Sequence, residues 1–328
     1  MKKNIALIGA GHWGKNHLRN LYHMGVLNTV LEKSDKIIAQ RKKDFPGVLF
    51  VKEDRQVMDN ENIRGVVIAA PAELHGRLTE KYLLAGKDVL VEKPMALTVE
   101  NGSKLIQTAE KKGCILMVGH ILQYHPGVIK LKELIDSGEL GQIRYIYSNR
   151  LNIGKLRVEE NVLWSFAPHD ISLILMLLNG EEPERVDAHG GAYVKPGLYD
   201  TTLTTMEFKN GVKSHIFVNW LHPFKEQKLV VVGSDRMAVF DDLSEPEHKL
   251  LIYPHTIDFI DGDVPVARKA ESYSVPFDMK EPLKEELLHF IDCIANRKTP
   301  RTDGVEGLNV LNVLERAEKK LTSLRSQD

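Results

Sequence analysis

The feature that most constrains this chain is Gly9-Ala10-Gly11-His12-Trp13-Gly14, which follows the apolar run Ile5 to Ile8 and precedes a helical stretch through Leu18 and Leu21. Gly9 permits a tight turn, Gly11 lets a pyrophosphate approach the backbone, and Gly14 lets helix and strand pack closely. The N–H groups at the helix start then face a negative phosphate. Placed between a first strand and a first helix, the pattern predicts a dinucleotide site, with His12 and Trp13 beside the three glycines in its phosphate turn.

The surrounding pattern supports this. Short apolar runs at residues 4 to 8, 27 to 31, 64 to 69, 87 to 91 and 115 to 118, with a weaker one near 48 to 51, alternate with helical stretches at 14 to 23, 35 to 43, 74 to 84 and 98 to 110. Nearly continuous apolar strands separated by helices predict a parallel sheet covered on both faces. Glu32 closes the second strand, where a carboxylate accepts hydrogen bonds from the adenosine ribose and repels a 2′-phosphate. That favours NAD over NADP, although Lys33 and Ser34 soften the preference. The basic run Arg41, Lys42, Lys43 reads as the solvated end of a helix.

After Gly119 the pattern changes. A helix is predicted from Pro126 to a stop at Gly138, a strand over 143 to 151, and an apolar helix over 169 to 178. Strand stretches at 184 to 194, 199 to 208, 212 to 220, 227 to 233 and 249 to 254 have no helix between them, and Asn210-Gly211 is a hairpin turn. The fold class is therefore α/β: an N-terminal Rossmann domain over 1–120, then an α+β domain over 121–328 built on a large, mostly antiparallel sheet. Helices near 282 to 296 and 305 to 323 are expected to pack near the domain junction, and the exposed sheet face is expected to make a homodimer or homotetramer.

Two turns carry the chemistry. Ala70, Pro71 and His75 follow the fourth strand, and Glu92, Lys93 and Pro94 follow the fifth, at the carboxyl ends of strands where such sheets bind ligands. All six are read as cofactor-side residues. Lys93 is the sharper catalytic candidate, because its ammonium can hold a substrate hydroxyl and stabilise charge developing on oxygen. His169 is the second, since imidazole titrates in the range that proton transfer needs. Asp170, Ser165 and His75 are supporting candidates.

The 44 basic and 45 acidic side chains of this 328-residue chain nearly cancel, which argues against a nucleic-acid partner. No apolar run approaches the roughly 20 residues of a membrane span. Cys114 and Cys293 lack metal or redox spacing, and the expected compartment is the reducing cytoplasm. His12 and His17, or His120 and His125, are five apart without a third ligand, so no metal is expected.

Taken together, the early glycines, the Pro71 and His75 segment, Glu92-Lys93-Pro94 and the His169 helix resemble the Gfo/Idh/MocA family of sugar and inositol dehydrogenases over essentially the whole chain. The resemblance implies an NAD(P)-dependent dehydrogenase acting on CH–OH groups, with Lys93 holding substrate and His169 as acid/base. Family members often carry aspartate four positions before that histidine, and here the position is Ser165. The segment from Arg150 and Asn152 to Trp164 resembles members that act on nucleotide-linked amino sugars. It implies oxidation at C3 of UDP-N-acetylglucosamine or its uronic acid, with Tyr124, Arg150, Asn152, Lys155, Arg157 and Trp164 as substrate candidates beside Lys93 and His169. Arginine suits a diphosphate or uronate through its paired donors. The alternatives are an inositol or simple hexose dehydrogenase, an imine or biliverdin-type reductase, and a non-catalytic NAD-binding regulatory protein.

Overall fold

The computed structural model describes residues 2–153, 156–260, 262 and 264–323. It divides into one unit of residues 1–121 with 281–312, and a second of residues 122–280 with 313–328.

In the first unit, strands β1 (Ile5–Ile8), β2 (Leu27–Leu31), β3 (Leu49–Val51), β4 (Gly65–Ile68), β5 (Asp88–Glu92) and β6 (Leu116–Gly119) alternate with helices α1 (Gly14–His23), α2 (Asp35–Asp44), α3 (Arg55–Met58), α4 (Ala72–Leu84) and α5 (Val99–Lys112). The strands pair in parallel in the order β3-β2-β1-β4-β5-β6. Strand order therefore reverses beside β1, which sets the glycine turn at the crevice of a doubly wound sheet. Leu18 and Leu21 of α1 are fully buried, a burial worth about 1.5–3 kcal/mol for each side chain.

The second unit begins with α6 (Pro126–Asp136) and continues through β7 (Ile143–Ile153), α7 (Val162–Leu177), β8 (Arg185–Gly191), β9 (Thr201–Glu207) and β10 (Lys213–Asn219). It goes on with β11 (Leu221–Gly233), β12 (Met237–Asp241), β13 (Leu250–Tyr253), β14 (Thr256–Ile260), β15 (Val264–Arg268) and β16 (Tyr273–Ser274). Eight of these strands form one sheet in the order β16-β13-β12-β11-β7-β10-β9-β8, antiparallel except where β10 runs parallel to β7. Strands β14 and β15 form a separate hairpin. The turn at Asn210-Gly211 joins β9 to β10, and Gly211 takes φ +86° there. Helix α7 covers one sheet face; on the other, Tyr147 stacks on His215 with centroids 5.2 Å apart.

Three expectations are corrected. The apolar helix starts at Val162, seven residues before the expected 169, because Asn161 caps it by accepting from the Trp164 N–H at 3.2 Å. Pro168 lies inside the helix. An interior proline costs about 3 kcal/mol, opposed here by the burial of Val162, Leu163, Ala167, Ile171 and Ile174. Strands β12, β14, β15 and β16 were not anticipated from the sequence pattern. Residues 281–312, expected in the second domain, belong to the first unit. The reason is packing: α8 (Pro282–Asn296) places Ile294 and Phe290 where a Cβ on Gly65 would meet them at 2.6 and 3.3 Å. The early turns of α9 (Gly304–Ser323) likewise set Leu308 and Leu311 against Gly102 of α5.

Candidate active site

The glycine turn shows why each glycine is needed. Gly9 adopts φ +91°, and a Cβ there would lie 2.8 Å from the Ala69 carbonyl oxygen. A Cβ on Gly14 would come within 2.2 Å of the Gly9 carbonyl oxygen, so any larger residue would push α1 off the turn. A Cβ on Gly11 would meet nothing within 4 Å, so its backbone is open to an approaching phosphate. His12 and Trp13 are exposed at the same turn. Gly9, Gly11, Glu32, Ala70 and Pro71 line one cavity of about 530 Å³ at the carboxyl ends of the strands. An open phosphate cradle, a helix start and a carboxylate beside it fit a dinucleotide.

Glu32 does more than the ribose role expected of it. Its two carboxylate oxygens accept from the Ala10 N–H and the Ser34 N–H, both at 2.9 Å. A carboxylate offers about four acceptor positions, so capacity remains for ribose hydroxyls. Arg41 corrects the reading of its basic run as solvated helix end. It is 8% exposed, and its guanidinium donates to the carbonyl oxygens of Ala10 at 3.0 Å and Gly11 at 3.4 Å. The Ala10 peptide is thus held from both sides. The available signal was the i, i+4 spacing of Ile37 and Arg41, which sets both on one face of α2.

The two turns after β4 and β5 are tied together by His75. Its ring nitrogens lie 2.7 Å from the Pro94 carbonyl oxygen and 2.8 Å from that of Ala70, and the side chain is buried. Both partners are main-chain carbonyl oxygens, which only accept, so each contact is made by a ring N–H. His75 therefore holds the turns in register, and with both nitrogens bound to main chain it does not serve as a proton shuttle. Glu92 accepts from the Trp13 indole N–H at 2.5 Å and contacts His17 Nε2 at 2.7 Å. Burial works to raise its carboxyl, but the bond and charge of His17, the Trp13 bond and the charge of His75 outweigh that and hold it below the usual value. Lys93, next in sequence, is half-buried. His17 carried no signal as a partner, since Glu92 lies 75 residues away.

In the second unit, Ser165 and His169 stand four residues apart on α7 and so share a face. Ser165 is buried and His169 half-buried, inside the helix and not at its mouth as expected. Asp170 points elsewhere. It accepts from Ser148 Oγ at 2.7 Å and from Arg150 Nε and Nη2 at 2.8 and 3.0 Å. This fork-to-fork pair commits the buried Arg150 to Asp170, which corrects the expectation of Arg150 on a substrate anion. Removing either partner of such a pair leaves an uncompensated buried charge.

The remaining substrate candidates are spread out. The Trp164 indole donates to Glu318 at 3.2 Å, and the Asn161 amide reaches the same oxygen at 2.9 Å. Tyr124 is only 2% exposed. Asn152 is half-buried on β7, while the exposed Arg157 pairs with Glu160 at 2.5 Å. Lys155 lies outside the described residues.

Comparison with known proteins agrees with both units. Residues 3–120 match a family model described as oxidoreductase family, NAD-binding Rossmann fold, and residues 128–239 match the GFO/IDH/MocA C-terminal domain. The chain is 28% identical over 311 residues to UDP-N-acetylglucosamine 3-dehydrogenase of Acidithiobacillus ferrooxidans, covering 93% of each. A crystal form of that enzyme superposes with a TM-score of 0.85, covering 98% of this chain and 97% of that one at 25% identity. The NAD(+)-dependent scyllo-inositol 2-dehydrogenase of Bacillus subtilis is 24% identical over 326 residues, 94% of this chain and 91% of its own.

Proposed function

The chain belongs to the Gfo/Idh/MocA oxidoreductase family, and from that premise we propose that it oxidises a secondary alcohol of a sugar to a ketone with NAD as acceptor, at C3 of a UDP-N-acetylated hexose or its uronic acid. The observation that carries the reading is the glycine cradle with Glu32 at its edge, joined to the full-length likeness to a UDP-N-acetylglucosamine 3-dehydrogenase. Glu32 supports NAD over NADP, because its carboxylate lines the cavity where a 2′-phosphate would meet a like charge.

When bound, the dinucleotide supplies the hydride acceptor. The chain supplies the rest. Glu92 and the His75 bridge hold the turn that presents Lys93, whose ammonium binds the substrate oxygen and opposes the charge that grows on it. His169 removes the hydroxyl proton through its imidazole, and returns it in the reverse reduction.

A second reading, oxidation of an inositol, is favoured by two observations. A scyllo-inositol 2-dehydrogenase matches nearly the whole chain, and Arg150, an anion-binding candidate, is occupied by Asp170. The test is an anaerobic panel of UDP-N-acetylglucosamine, its uronic acid, free glucose and myo-inositol with NAD, reading reduced nicotinamide and product mass after quenching. Nucleotide sugars should give reduced dinucleotide and a keto sugar. Turnover of inositol with none of the nucleotide sugars would replace this reading by the second.

A further inference from the structure

The first unit holds a buried polar cluster that the cofactor cradle does not require. Glu286 of α8 is 0% exposed, and among the described residues neither of its carboxyl oxygens meets a hydrogen-bond partner. Helix α8 packs on α1, where His17 is equally buried. His17 directs Nε2 to Glu92, while its Nδ1 meets no partner among the described residues.

These facts constrain the protons. A carboxylate sealed from water with no donor is strongly disfavoured, so Glu286 is held as the neutral acid. A neutral acid has one O–H to donate. Glu286 thus keeps its O–H without an acceptor on a helix packed against α1. We infer that Glu286 retains its proton, so that Glu92 is the charged carboxylate of this cluster and Glu286 is a positioning residue for the cofactor-side turn that carries Lys93.

The groups facing the cluster are few and come from each packed element. Glu92 enters from β5, Trp13 from the turn before α1, His17 from α1, and the His75 ring from α4. For Glu286, burial first and the Glu92 charge second both push its carboxyl well above the usual value. Ionising it would place a second negative charge near Glu92 in a site sealed from water. The relief is movement of Glu92, and with it Lys93. The inference rests on the cofactor-binding part of the proposed function and not on which alcohol is oxidised.

The test compares wild type with Glu286→Gln, whose amide keeps the shape and cannot ionise. In the unfolded chain a glutamate ionises near pH 4.3, whereas folded Glu286 stays protonated, so wild type loses stability as pH rises above about that value. The ratio of folding constants, variant over wild type, should therefore grow roughly tenfold per pH unit from about pH 5 upward until Glu286 ionises in the folded protein. A ratio that stays level with pH overturns the neutral acid. NAD titration over the same range reads the positioning role: wild-type affinity should fall on the alkaline side, and that of Glu286→Gln should stay level. Identical profiles overturn the positioning role even if the acid is neutral. Should the variant not fold, infrared spectroscopy of wild type with ¹³C-labelled glutamate decides the protonation at neutral pH, where a persisting carboxylic-acid band is expected and its absence overturns the inference. None of these readouts involves the sugar, so a wrong substrate leaves them unchanged.

Discussion

Replacing Lys93 by alanine should lower kcat by roughly 10²- to 10³-fold, the usual cost of removing one preorganised group from a developing oxyanion, while NAD affinity stays near that of wild type. The two effects separate because the dinucleotide is held by other groups. Gly9, Gly11 and Gly14 shape the phosphate turn, Glu32 and Arg41 clamp the Ala10 peptide, and none of these bonds involves the Lys93 side chain. Lys93 instead sits at the end of β5, on a turn fixed from two sides. His75 holds the Pro94 carbonyl oxygen, and Glu92 is anchored by His17 and Trp13. Steady-state kinetics with a direct NAD titration checks this. Turnover near wild type would remove Lys93 from the chemistry, and loss of NAD binding together with turnover would make it a cofactor residue.

The second large effect is at His169. As the base that takes the hydroxyl proton, its imidazole must be neutral, so the oxidation rate of the wild type falls toward acid pH. His169→Ala should lower kcat by about 10²- to 10⁴-fold, the range found for general acid–base groups, and should flatten that acidic limb. The limb is the more telling readout, because a merely structural role would lower the rate without changing its pH dependence. Ser165, one turn earlier on the same face of α7, is buried and has no carboxylate charge to offer. Asp170 gives its oxygens to Ser148 and Arg150. An acidic limb that survives in His169→Ala would assign the proton to another group.

The sequence was most legible where neighbours in the chain are also neighbours in space. The glycine turn, β1 and α1 form one continuous stretch, and the parallel sheet followed from apolar runs separated by helices. Pro71, His75 and Glu92-Lys93-Pro94 were recognisable because strand ends fix where such turns lie. The start of α7 falls before the apolar run because its cap, three residues before Trp164, is a single asparagine. Arg150 and Arg41 were misread for another reason. A cationic side chain looks alike in sequence whether it meets solvent, substrate or a buried acceptor, and only the fold brings Asp170 to Arg150 and the Ala10 carbonyl to Arg41. His17, Glu92 and Glu286 come from three distant segments, so no local pattern joins them.

These assignments converge on one claim, that a hydrogen on the alcohol carbon leaves for nicotinamide while the chain manages the proton and the charge. UDP-N-acetylglucosamine with deuterium at C3, incubated anaerobically with the enzyme and NAD and quenched by denaturation so that tightly held cofactor is released, reads that transfer directly. Mass spectrometry should find the deuterium in the reduced dinucleotide and a 3-keto sugar that has lost it. Reduced dinucleotide without deuterium, or a sugar that keeps it through prolonged incubation, would contradict the account.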